Sequence, residues 1–214
     1  MKNKILLLSI NIFLVIGNIC YALEHPIDPL VVDSALTLRE ALDGLDPDCP
    51  QTIKNNQALL DVVYYSTDGL IHKGQIIIDQ RLEEDVRKVF KVIFKERFPI
   101  VSVIPMSQFR WSDTDSMAQN NTSGFNYRQV TGGKKLSNHS FGFAIDMNPF
   151  FNPYIKEKVI LPFDAVYDLN QSGTLSADHI VVKIFLKLGW TWGGNWKTLK
   201  DYQHFEKVIR ENID

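Results

Sequence analysis

The residues best suited to chemistry lie in two short stretches that are far apart in the chain. One stretch contains His139 and Asp146, and the other contains Asp201 and His204. Imidazole and carboxylate groups are both good zinc ligands. Two neutral imidazoles and one carboxylate would leave a Zn²⁺ site with a net charge of about +1, which favours ionisation of a water molecule and leaves one position open for substrate. This combination of residues predicts a catalytic metal centre.

Local structure has to bring these ligands together. Residues 143–147 alternate as a β-strand does, and Asp146 is the odd polar residue between core residues. Gly142 allows a tight turn just before this strand, which can bring His139 back beside Asp146. A third ligand is needed, and His204 is the candidate. We therefore expect the two stretches to converge in the fold.

Two motifs in these stretches resemble those of a known peptidase family. The pattern SxHxxGxAxD is matched at Ser137, His139, Gly142, Ala144 and Asp146. The pattern DxxH is matched at Asp201 and His204, after the segment WGGNW at 192–196. Together they resemble the zinc D-alanyl-D-alanine carboxypeptidase and L-alanyl-D-glutamate endopeptidase family, which includes the vancomycin-resistance dipeptidases and several phage endolysins. The resemblance covers roughly residues 59–206.

The resemblance implies a role for several side chains. It implies that His139, Asp146 and His204 bind Zn²⁺. Asp201 stands where the family has its general base, and it lies near enough to a ligand to accept a proton from the attacking water without occupying the metal. Arg128 matches an upstream arginine that polarises the scissile carbonyl, because a guanidinium offers paired donors to an oxyanion or a carboxylate. Arg128 could also be an ordinary surface residue.

Two further residues are expected near the substrate. Ser137 is interpreted as a contact to the substrate or to the metal ligands, and Trp196 as a wall of the substrate groove. A structural alternative is left open for Asp201, which could form an ion pair with Lys197 or Lys200.

The hydrophobic pattern predicts an α+β fold, with a small antiparallel sheet and flanking helices. Strands are expected at 59–66, 75–79, 101–105 and 143–147, and helices at 82–98 and 180–188. Strand pairs alternate with helices without a regular strand–helix–strand repeat, which favours an antiparallel sheet. The resemblance further implies the fold that these peptidases share with the signalling domain of hedgehog proteins.

Residues 168–176 match the start of a calcium-binding loop, with oxygen-bearing side chains at the first, third and fifth positions and glycine at the sixth. The twelfth position is His179 instead of a bidentate glutamate. We favour a polar loop in which Ser176 or Asp178 caps the following helix, and calcium binding is left open.

The N-terminus predicts export. Lys2 and Lys4 precede an apolar run at 5–19, and the small residues Cys20 and Ala22 follow, which is typical of a secretory signal cleaved after Ala22. The run is short for a bilayer span, which needs about 20 apolar residues. We therefore expect a periplasmic or secreted protein with no stable membrane anchor. Cleavage would leave Cys49 as a lone cysteine, so no internal disulfide is expected.

Composition restricts the partners. The chain has 214 residues, of which 45% are hydrophobic and 22% charged, as in ordinary globular proteins. The net charge of −2 supplies no basic field for a nucleic-acid backbone, so no nucleic-acid partner is expected. We expect a signal peptide at 1–22, an N-terminal arm at 23–58 and a zinc peptidase domain at 59–214, in a monomer.

These observations predict a zinc metallopeptidase that hydrolyses peptide bonds in peptidoglycan stem peptides. The WGGNW segment with DxxH resembles the endolysin-like branch, so an L-alanyl-D-glutamate endopeptidase is preferred to a D-Ala-D-Ala carboxypeptidase. The alternative from another class is a non-catalytic, zinc-containing cell-wall-binding module, as hedgehog domains keep the fold and the zinc. The presence of Asp201 argues against that alternative.

Overall fold

The computed structural model describes residues 29–130 and 132–209, together with the backbone of three short strands before them. The strands are, in chain order, β1 (Ile5–Leu6), β2 (Ile12–Ile16), β3 (Ile19–Leu23), β4 (Leu30–Val32), β5 (Gln57–Tyr65), β6 (Ile71–Asp79), β7 (Ser102–Val103), β8 (Asn121–Thr122), β9 (Ala144–Asp146), β10 (Tyr154–Lys156), β11 (Val159–Leu161), β12 (Thr191–Trp192), β13 (Lys200–Asp201) and β14 (His204–Glu206). The α-helices are α1 (Leu38–Ala41), α2 (Gln51–Asn55), α3 (Glu83–Lys95), α4 (Asp113–Ala118) and α5 (Ile180–Lys187). Single 3-10 turns occur at Gln80–Leu82, Met106–Phe109, Asn138–Phe141 and Gly193–Asn195.

The predicted signal peptide lies outside the described residues, apart from the backbone of β1 to β3. Cleavage after Ala22 and the boundary between arm and domain stay predictions. Within residues 29–130 and 132–209, every helix is too short or too polar to cross a bilayer.

The largest sheet has the strand order β1–β4–β6–β5. β5 and β6 correspond to the strands expected at 59–66 and 75–79, and they form an antiparallel hairpin, whereas β4 joins β6 in parallel. Side chains on β6 alternate between two cores, because neighbouring residues in a strand point to opposite faces. Ile76 and Ile78 lie in the main core, and Ile77 packs with Phe125 and Cys49 on the other face. β6 is therefore buried on both sides.

α3 covers one face of this sheet. Its buried residues recur at helical spacing and are Val86, Val89, Phe90 and Ile93. Acidic residues occupy its first turn and Lys95 its last, which suits the helix dipole. The helix predicted at 82–98 is confirmed, with shorter ends.

A second sheet, with the order β12–β14–β9, carries two of the three candidate metal ligands. β14 pairs with β9 in antiparallel register, so that His204 stands directly opposite Asp146. On the other side of β9, Ser123 and Asp146 exchange two backbone hydrogen bonds of 2.9 Å. Behind this sheet, the ring of Phe185 on α5 stacks on Phe205, with ring centroids 3.9 Å apart. The two ligands are thus held by a backbone ladder with a packed core behind it.

A third sheet, with the order β11–β10–β13, was not expected from the sequence. β10 and β11 form a hairpin, and β13 pairs with β10 so that Asp201 stands opposite Tyr154. Val159 and Ile160 on β11 are exposed, so the hairpin lacks the alternation of a half-buried strand. Small sheets and short helices in the described part of the chain confirm the α+β class. The parallel pairs β4–β6 and β7–β8 show that the strand pairing is mixed rather than antiparallel throughout.

Candidate metal centre and substrate cavity

The structure brings His139, Asp146 and His204 together, and all three are buried. His139 Nε2 lies 3.1 Å from Asp146 Oδ2, and His204 Nδ1 lies 2.9 Å from Asp146 Oδ1. The two ring nitrogens are 3.2 Å apart. Tetrahedral ligands at about 2.0–2.1 Å from Zn²⁺ lie about 3.3 Å from one another, so this donor set fits a divalent ion with little adjustment.

His139 is positioned by the 3-10 turn at Asn138–Phe141. Ser137 begins this turn, and its hydroxyl accepts a hydrogen bond from the backbone N–H of His139 at 3.3 Å. Gly142 ends the turn with φ = 72°, and a Cβ there would lie 2.3 Å from Gln57 Oε1. His139 Nδ1 donates to the carbonyl of Gly124 at 2.6 Å. This bond fixes the ring so that Nε2 faces the other two ligands.

Gly124 also connects the centre to the largest sheet. A Cβ at this position would lie 2.2 Å from the carbonyl oxygen of Ile77 on β6, so only glycine allows this close approach. The next residue, Phe125, donates its backbone N–H to that same carbonyl at 2.8 Å. The carbonyl that orients His139 is therefore held against a buried strand.

Glu206 orients the other histidine, a role that the sequence analysis missed. His204 Nε2 lies 3.1 Å from Glu206 Oε2, so Nδ1 is the nitrogen that faces Asp146. Asn138 Nδ2 donates to the same carboxylate oxygen at 2.6 Å. A carboxylate behind a ligating histidine fixes its orientation and raises its basicity. The two-residue spacing between His204 and Glu206 could have indicated this role, because positions i and i+2 of a strand share a face.

Replacement of Glu206 is expected to weaken metal binding without unfolding the protein. Glu206→Ala should lower the affinity for Zn²⁺ by about 10–100-fold, the range typical for such outer partners, with Glu206→Gln between it and the wild type. Competition with a chromophoric chelator measures this affinity. Glu84→Gln, at an exposed position of α3, is the matched control. An unchanged affinity in Glu206→Ala would contradict the role of Glu206.

The centre is arranged to attract a cation. Burial would raise the pKa of Asp146, but its ion pairs and hydrogen bonds with His139 and His204 hold it well below its ordinary value. Burial would lower the pKa of His204, yet hydrogen bonds to Asp146 and Glu206 raise it to about 10. The hydrogen bond from His204 likewise lowers the pKa of Glu206. Two carboxylates thus stabilise positive charge at this point, and a metal ion would take the place of the proton.

Asp201 lines the same cavity as the three ligands. Its Oδ1 is buried and has no hydrogen-bond partner among the described residues. Burial raises the pKa of Asp201 to about 6. The negative charge of nearby Asp146 also raises this pKa, whereas His204 acts to lower it. A carboxyl group whose pKa lies near neutrality is suited to accept and return a proton.

Asp201 does not form the alternative ion pair with Lys197 or Lys200, both of which the structure describes. Lys200 Nζ donates instead to the carbonyls of Gly194 and Trp196, at 2.9 and 2.8 Å. Gly193 lies so close to Asp201 that a Cβ would be 2.4 Å from its carbonyl oxygen. The WGGNW segment therefore packs against the strand that carries Asp201.

The cavity above the centre has a volume of about 340 Å³. This cavity is lined by all seven residues that were predicted as metal ligands, catalytic residues or substrate contacts, namely Arg128, Ser137, His139, Asp146, Trp196, Asp201 and His204. Arg128 is partly buried, with Nη2 3.1 Å from Asp113 Oδ2, so it is not an ordinary surface arginine. The Trp196 ring lies 5.5 Å from that of His204, centroid to centroid. Ser137 both lines the cavity and caps the turn of His139.

The loop at 168–176 is stabilised by its own hydrogen bonds. Asp168 Oδ1 accepts from the backbone and side-chain nitrogens of Asn170, at 2.9 and 3.0 Å. The cap of α5 is His179, whose Nδ1 accepts from the backbone N–H two residues on. The expectation that Ser176 or Asp178 caps this helix is therefore wrong. The imidazole nitrogen takes the position that a shorter oxygen-bearing side chain usually occupies.

Two histidines and a carboxylate at the floor of an open cavity, with another carboxylate beside them, are typical of metal-dependent hydrolases. Comparison with known proteins agrees with this class. Residues 131–207 match the profile of a family described as D-alanyl-D-alanine carboxypeptidase. This match confirms the resemblance predicted from the two motifs.

One curated relative is the peptidoglycan L-alanyl-D-glutamate endopeptidase CwlK of Bacillus subtilis (strain 168). It is 42% identical to this chain over 73 residues, which make up 34% of this chain and 40% of the relative. The chain thus matches less than half of the length of this relative. No solved structure matches the chain, and the likeness to the hedgehog fold stays a prediction.

Proposed function

We propose that this protein is an exported, zinc-dependent peptidase that hydrolyses a peptide bond in peptidoglycan stem peptides, with the L-alanyl-D-glutamate bond as the preferred target. The observation that carries the proposal is the convergence of His139, Asp146 and His204 beside Asp201 on one open cavity. The name of the curated relative supports the choice of bond.

The residues of the chain divide the chemistry between them. His139, Asp146 and His204 would hold the metal ion, which supplies Lewis-acid polarisation of the carbonyl and of water when it is bound. Asp201 accepts a proton from the attacking water and returns it to the leaving amine. Arg128 presents its guanidinium to the cavity, where it stabilises negative charge on the carbonyl oxygen or binds a substrate carboxylate.

The second candidate is a D-Ala-D-Ala carboxypeptidase, which the description of the matching family favours. The two activities give different products. An endopeptidase leaves a new amino terminus on glutamate, whereas the carboxypeptidase releases free D-alanine. A binding module without activity releases neither product.

Mass spectrometry of digested peptidoglycan separates these candidates. The purified protein is incubated with defined stem peptides, with and without a chelator. We expect cleavage between L-alanine and D-glutamate that stops when the metal is removed and resumes when Zn²⁺ is added. Release of D-alanine alone would establish the second candidate, and the absence of any product with Zn²⁺ present would refute a peptidase.

A further inference from the structure

Among the described residues, the cavity contains one cationic side chain that has no hydrogen-bond or ion-pair partner. Of the described lysines and arginines, Arg128 and Lys156 line the cavity. Arg128 already has one ion-pair partner, because its Nη2 lies 3.1 Å from Asp113 Oδ2. The ammonium group of Lys156, by contrast, makes no hydrogen bond or ion pair with any described residue. Lys156 is therefore available to a negatively charged group of the substrate.

The strand pairing places Lys156 beside the reaction centre. Tyr154 on β10 stands directly opposite Asp201 on β13, and side chains of directly opposed residues share a face. Lys156 lies two residues further along β10 on that same face, which is about 7 Å along the strand. Its ammonium group is thus offset from Asp201, where it can reach a group next to the scissile bond.

A carboxylate is the substrate group that suits this position. Lysine carries a compact charge with three donors on a flexible stem, and Lys156 is exposed enough to adjust to its ligand. A glutamate that continues a peptide through one carboxyl group keeps its other carboxyl group free. That group is ionised at neutral pH, because its ordinary pKa is about 4.

We propose that Lys156 binds the free carboxylate of the glutamate next to the scissile bond and thereby selects acidic stem peptides over their amidated forms. The identity of this glutamate rests on the proposed function. The availability of Lys156 in the cavity does not.

Equilibrium binding tests the proposal without turnover. Two peptides that differ only in whether this carboxyl group is free or amidated are titrated calorimetrically into zinc-loaded Asp201→Asn protein. The acidic peptide should bind about tenfold more tightly than the amide, as expected for a hydrogen bond to a charged group. Adding Lys156→Ala should remove this preference by weakening the acidic peptide alone. Lys158→Ala is the matched control, because Lys158 is exposed in the same hairpin and does not line the cavity.

Each outcome separates the proposal from the function on which it rests. The role of Lys156 would be overturned if Lys156→Ala lowered the affinity for both peptides equally or for neither. It would also be overturned if neither peptide bound. Cleavage of both peptides by the wild type at equal rates would also overturn it, while the peptidase activity would stand. If the wild type cleaves neither peptide but the preference depends on Lys156, the proposed function fails and the carboxylate site stands.

Discussion

Asp201→Asn should lower kcat by about 10²–10⁴-fold while the protein keeps its bound metal. The amide has the shape of the carboxylate but cannot accept the proton of the attacking water, and removal of a general base costs about this much. Metal retention is expected because Asp201 is not one of the three converging ligands. Steady-state kinetics on a stem peptide and elemental analysis of the same sample measure both effects.

The control is Asp178→Asn, since this aspartate side chain is 99% exposed. Full turnover in Asp201→Asn would remove Asp201 from the mechanism. The wild-type rate should also fall in acid, because the pKa of Asp201 is raised to about 6 and the base is protonated below it. A bound cation favours the carboxylate form, so the acidic decline should lie at or below about pH 6.

His139→Ala and His204→Ala should each lower the affinity for Zn²⁺ by more than about 100-fold, which exceeds the effect of an outer partner such as Glu206. Turnover should fall to that of wild-type protein treated with a chelator, because the two remaining ligands are too few to hold the ion. Chelator competition and peptide hydrolysis measure the two effects.

His179→Asn serves as the control for these variants. Asparagine preserves a cap at the start of α5, and His179 does not line the cavity. Stoichiometric Zn²⁺ in purified His204→Ala would contradict the proposed ligand set. Circular dichroism should show folded protein in every variant, so that a lost metal is not confused with a lost fold.

The local parts of the site could be predicted from the sequence. The alternation at 143–147 correctly predicts the strand that carries Asp146. Gly142 was expected to allow a turn, and it ends the turn of His139 with a positive φ. Such features depend on a few neighbouring residues and are therefore visible in the chain itself.

Features that depend on long-range pairing could not be predicted in this way. The register that sets His204 opposite Asp146 joins residues 58 positions apart. The β10 hairpin, which brings Lys156 to the cavity, was missed because its partner strand is exposed and shows no alternation. The hydrogen bond between buried His72 and Asp33 likewise joins residues 39 positions apart, and no local pattern indicates it.

The pairing of β14 with β9 has a consequence for how the protein acquires its ion. The ladder and the carbonyl of Gly124 preassemble the donors, so loading does not have to gather distant stretches of an unfolded chain. In zinc fingers, by contrast, binding and folding are one event. Stripped protein should therefore remain native and reload simply on addition of the ion, with no refolding step.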